Sequence, residues 1–135
     1  MAGPRIVTVH HLEHALLAAE IGHRSGQPFR LLSPPDAALY LGPGWMEAVE
    51  RAIEARLGLC TAGILDCADR ADLVQAAFRQ GTRAVVFRGR PRIAGKLADI
   101  AAAYGADLLH RRPRALDLGA ETDPDAALRR YLAAD

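Results

Sequence analysis

The chain has 135 residues, half of them apolar and 24% charged, with a formal net charge of +1 at pH 7. That length suits one domain with a core of its own. These proportions exclude a charge-rich disordered chain, and no apolar run approaches the roughly 18 residues that would suggest a membrane span. Near-neutral charge supplies no overall field toward nucleic acid or a lipid surface, so any preference for anions is local.

The opening stretch, MAGPRIVTVHH, has too short an apolar run for a signal peptide, and a cytoplasmic protein is expected. Ile6 to His10 reads as a first strand. The stripe Leu12, Ala15, Leu16 and Ala19 has helical spacing and follows directly. Phe29 to Ser33 reads as the second strand and Asp36 to Leu41 as a short helical turn. Gly42, Pro43 and Gly44 then lead into a helix whose apolar face is Met46, Val49, Ile53 and Leu57, with Trp45 anchoring it to the core. This turn has neither G-x-G-x-x-G nor the lysine of a phosphate loop. Glu47 and Arg51, four apart on that helix, make a favourable exposed pair.

Cys60 to Asp66, Ala84 to Arg88 and Asp107 to His110 complete five β-type runs, with a third helical stripe at Ile93, Leu97, Ala101 and Tyr104. Several of these runs are continuously apolar, which suits strands covered on both faces. The last helix starts near TDPDAALRRYL. Thr122 or Asp123 serves as its cap, Pro124 as its first residue, and Leu128, Tyr131 and Leu132 as its apolar face.

Gly26, Gly58, Gly81 and Gly105 each follow a helical stretch and precede a strand. Glycine accepts the left-handed conformation that ends a helix, and four such junctions imply β-α repetition with right-handed crossovers. The expected fold is therefore α/β: a single domain over residues 1–135, a three-layer sandwich of a five-stranded parallel sheet with helices on both faces, flavodoxin-like in topology. A half (β/α) barrel is the alternative.

In open parallel sheets, ligands bind beyond the carboxyl ends of the strands. Those ends carry His10-His11, then Ser33 to Asp36, then Asp66 to Arg70, then Arg88 to Arg92, then His110 to Arg114. Six arginines fall on the fourth and fifth ends, and guanidinium groups give planar recognition of phosphate or carboxylate. The ligand-binding candidates are Arg88, Arg90 and Arg112, with Asp69 and Ser33. Asp66 and His10 are the candidates for a general acid or base.

His10, His11 and His14 offer a metal only if His10 is already helical, and no second motif completes a ligand set, so no metal or other cofactor is expected. Cys60 and Cys67, bracketing one strand, are expected as reduced thiols packed as small hydrophobes. No G-x-S-x-G occurs, and the few aromatic residues are too scattered to stack nucleic-acid bases.

The order of elements, with Asp66 ending the third strand and Arg112-Pro113 after the fifth, resembles a response-regulator receiver domain. The resemblance is one of topology. Where that family has paired acids after strand one this chain has His10-His11, its Thr or Ser after strand four is replaced by Arg88-Gly89, and its Lys before Pro is Arg112. It implies a fold and not aspartyl phosphorylation.

The functional expectation is a small module that binds an anionic metabolite at its strand ends or acts in protein assembly, as a homodimer, with no nucleic-acid or membrane partner. The alternative is a lyase or isomerase acting on a phosphorylated or carboxylate small molecule. Only one lysine, Lys96, is present, and it sits on a polar helical position, which disfavours Schiff-base chemistry.

Overall fold

Each apolar run read from the sequence becomes a short parallel strand: β1 (Arg5–Thr8), β2 (Phe29–Leu32), β3 (Gly63–Asp66), β4 (Ala84–Val86) and β5 (Asp107–Leu109). The structure is a computed structural model that describes residues 3–133. Helices alternate with the strands: α1 (Leu12–Ser25), the single turn α2 (Ala37–Tyr40), α3 (Trp45–Leu57), α4 (Ala71–Gln80), α5 (Pro91–Tyr104) and α6 (Pro124–Ala133). The glycine junctions behave as expected: Gly26, Gly58, Gly81 and Gly105 cap α1, α3, α4 and α5 with φ of 71°, 67°, 103° and 66°. At the last helix Asp123 is the capping side chain, accepting from the Ala126 N–H at 3.1 Å.

The fold class is the expected one, a single open parallel sheet with helices in an α/β sandwich of the flavodoxin-like kind. Two finer features differ. A sixth strand, β6 (Leu116–Asp117), joins the sheet, and the order is β5-β4-β3-β2-β1-β6. Strands one to five thus lie side by side in chain order, as they do around a (β/α) barrel, instead of the 2-1-3-4-5 order of flavodoxin itself.

Right-handed crossovers that always step in the same direction put their helices on the same face. Accordingly, Val7, Leu31, Leu65 and Val85 of the strands share one core with the buried residues of all six helices. The opposite face holds a smaller cluster of Ile6, Leu32, Ile64, Ala84 and Val86, sealed by Leu109 and Ala115. The second face is therefore covered by the segment that runs from β5 back to β6, where a helical layer was expected. Arg30 of β2 comes within 3.9 Å of Asp107 of β5.

The apolar face of α6 is used within the chain: Leu128 and Leu132 are fully buried in the main core, and the Tyr131 hydroxyl accepts from the Ile6 N–H at 3.2 Å. No helix among the described residues is long and apolar enough to cross a membrane.

Candidate functional site at the strand ends

Asp66 ends β3 on the smaller core's side of the sheet, and its side chain is fully buried. A carboxylate there needs several donors, because burial without partners costs several kcal/mol (about 3–5 when one member of a buried ion pair is removed). It has three. Its Oδ1 accepts from the Ala68 N–H at 2.9 Å, and its Oδ2 accepts from Arg88 Nη1 at 2.7 Å and Arg112 Nη1 at 2.9 Å. Burial pushes the Asp66 carboxyl up. The Ala68 N–H, Arg112 and Arg88 together outweigh that push and hold it below the usual carboxylate range.

The turn that follows is built around this acceptor. Ala68 takes a left-handed φ of 54°, which turns its N–H back onto Asp66. Its carbonyl receives the Arg88 N–H at 2.7 Å, and the Cys67 N–H reaches the Val86 carbonyl at 2.9 Å. Cys67 is buried, and burial followed by the Asp66 charge pushes its thiol up to about 12. Cys60 departs from the expected packing: it is exposed, because β3 begins only at Gly63.

Ser33 joins the same network. Its hydroxyl accepts from the Asp66 N–H at 2.9 Å and donates to the Pro34 carbonyl, while its own carbonyl accepts from Arg112 Nη1 at 3.0 Å. Arg88 Nη2 pairs with Asp36, which sits at a left-handed φ of 59° at the start of α2. Asp66 therefore fastens the ends of β2 and β4 and the 110–115 segment to one point. Of the ligand-binding candidates, Arg88, Arg112 and Ser33 meet here and are held by protein groups. Arg90 lies at the N-cap of α5 and Asp69 in the turn after β3; both are exposed, and neither makes an ion pair among the described residues.

His10, the other acid-base candidate, pairs with a residue that sequence reasoning missed. Its Nε2 lies 2.6 Å from Asp117 Oδ1 at the end of β6, and Asp117 also accepts from the Gly119 N–H at 2.9 Å. Burial pushes the Asp117 carboxyl up, but His10 and the Gly119 N–H prevail and lower it, with Arg112 adding to the effect. The His10 ring occupies space that a Cβ on Gly119 would fill. The two neighbouring histidines organise the start of α1: His11 Nδ1 accepts from the His14 N–H, and His14 Nδ1 accepts from the His10 N–H. Burial, then the neighbouring His11 and His10, lower the His14 pKa. Among the described residues no three His, Cys, Asp or Glu groups converge as a metal site would require.

Beside this network, between the β4–α5 loop and the end of β5, lies a cleft of about 590 Å³ whose polar side chains are Arg88 and His110. His110 also borders a broader hollow of about 1220 Å³ along the 110–115 segment, which carries Arg111, Arg112 and Arg114. Comparison with known protein families and with curated protein sequences finds no match.

Proposed function

We propose that the protein is a noncatalytic module that binds a small anionic molecule at the carboxyl ends of its strands. One observation carries the reading. Two arginine-rich segments meet at one rim, and Arg90, Arg92, Arg111 and Arg114 have no carboxylate partner among the described residues, whereas Arg88 and Arg112 are held by Asp66. Unpaired guanidiniums beside a cleft offer bidentate donors to phosphate or carboxylate. The Asp66 side chain is fully buried and both its oxygens already accept from protein donors, which favours binding over acid-base chemistry at that residue. Isothermal titration against a panel of phosphorylated and carboxylated metabolites should give saturable binding that weakens with salt and with the double change Arg111→Ser, Arg114→Ser. No binding to any member of the panel would refute the proposal.

A second reading, a lyase or isomerase acting on the same class of ligand, draws its support from the His10–Asp117 pair. A carboxylate that orients an imidazole is a recurrent acid-base arrangement, and this pair stands at the same strand ends. Turnover of a ligand found in the titrations, lost in His10→Gln with binding kept, would decide for it.

A homodimer and a cytoplasmic location belong to the proposal as well. The exposed Leu39, Tyr40 and Leu41 around α2 supply an apolar face for a second copy. Sedimentation equilibrium returning 14.5 kDa across the micromolar range would reject the dimer.

A further inference from the structure

We infer that the ligand of this rim is amphipathic: an anionic group carried on an apolar body, with the body lying in the cleft beside α5. The inference rests on the binding proposal above and specifies the ligand's class.

The floor of the cleft is Phe87, Pro91, Ala94, Gly95 and Ala98. Its volume of about 590 Å³ falls within the span of small-molecule sites, roughly 300–1,000 Å³. Inorganic phosphate or a short dicarboxylate would leave that apolar floor to water. An alkyl or aryl body would bury it and gain the corresponding transfer free energy.

The mouth of the cleft has the opposite character. His110, which lines the cleft, leads directly into Arg111 and Arg114 along the basic hollow, and Arg90 and Arg92 are the exposed chain neighbours of Pro91. Arg88 is held within the cleft wall by Asp66 and Asp36. The net positive charge therefore stands at the opening, and the floor is neutral. A neutral apolar molecule would not use this mouth, and a cationic one would be repelled by it.

Gly95 is a separate sign that the floor is kept low. It lies inside a helix of fourteen residues, where glycine weakens helical structure relative to alanine. Packing does not require it, since a Cβ there would meet nothing within 4 Å. Gly89, on the same wall, has a packing reason: a Cβ there would overlap the Phe87 ring.

The test is calorimetric titration of the whole chain with octanoate, octyl phosphate, octanol, acetate and inorganic phosphate. Octanoate and octyl phosphate should bind at least about tenfold more tightly than the other three, since each part of the ligand contributes its own share of the binding free energy. A Cβ at Gly95 meets nothing within 4 Å and Ala98 is exposed, so Gly95→Leu and Ala98→Leu should both fold with a melting temperature close to the natural chain's and lose the octyl ligands. Arg111→Ser with Arg114→Ser should weaken both octyl anions and leave octanol unchanged. Acetate and phosphate binding as tightly as the octyl anions would overturn this inference while leaving the anion proposal standing. Octanol binding as well as octanoate overturns the charge requirement. No binding by any of the five removes both readings. A dimer in sedimentation that Gly95→Leu converts to a monomer would give the cleft to a second copy and overturn the inference.

Discussion

Replacing Asp66 by Asn keeps the size of the side chain and removes its charge. The amide oxygen can still accept from the Ala68 N–H, but the group facing Arg88 and Arg112 becomes an NH₂, a donor set against two donors. Hydrogen bonds to charged groups contribute about 1.5–3 kcal/mol each, and breaking a buried ion pair costs about 3–5 kcal/mol. Arg88 and Arg112 are 36% and 23% exposed, so water recovers part of their solvation once they are released. The expected loss is about 3 kcal/mol. With an unfolding entropy of about 2.1 cal/mol/K per residue, a chain of this length should melt about 10 °C lower. Urea denaturation at pH 7 measures the loss directly, with the slope m unchanged if the unfolded state is the same. Amide exchange should quicken along 110–115, the segment that Arg112 pins. A loss below about 1 kcal/mol, or exchange that quickens uniformly, would refute the role of Asp66 as the fastening point. The pH dependence has a defined sign. A folded pKa below the unfolded one, about 4 for a carboxyl, gives stability that is present above the unfolded value and lost as pH falls through the folded one. Acid unfolding should therefore steepen below about pH 4 in the natural chain, and Asp66→Asn should lack that component.

Glu50 on α3 behaves oppositely. Burial, aided by the Glu47 charge, raises its pKa to about 7 against the Gly63 N–H, Arg30 and Arg83, and its Oε2 has no hydrogen-bond partner among the described residues. The folded chain therefore binds the extra proton between about 4.5 and 7, and stability falls as pH rises through that window. Glu50→Gln should be about 1 kcal/mol more stable than the natural chain at pH 8, allowing for the solvent that reaches the side chain, with the advantage gone at pH 4.5; a less stable variant at pH 8 would contradict this. Thiol titration of the native protein should show one fast thiol, Cys60, and a second, Cys67, only on unfolding. Gly63→Ala should cost about 1–3 kcal/mol in urea, because the added Cβ would overlap Met46 in the core beneath β3.

The element types were legible because their signals are local. Glycine caps, apolar stripes and continuous apolar runs sit within a few residues of what they determine, and all five expected strands formed within a few residues of where they were read. The strand order was not legible, since periodicity says that Leu31 is buried but not that β2 lies between β1 and β3. Strand β6 has two residues, too few for any period, and exists through its pairing with Val7 and Thr8. For the same reason His10 was singled out without its partner: Asp117 lies 107 positions away. The strand-end arginines were visible in sequence. Which of them Asp66 would hold and which would stay unpaired depended on the 110–115 segment crossing the open face, a path set by β6.

Four of the five strand pairings join strands that are consecutive in the chain, and only β1 with β6 does not. A chain emerging from the ribosome can therefore extend its sheet one β-α unit at a time, each step closing a loop of modest length, and defer its one long-range closure to the end. Until Leu116 has been made, β1 is a bare sheet edge with unpaired backbone groups, able to template another strand. The C-terminal β6–α6 segment then acts as a clasp. It covers the β1 edge and packs α6 on α1, completing the open six-stranded sheet.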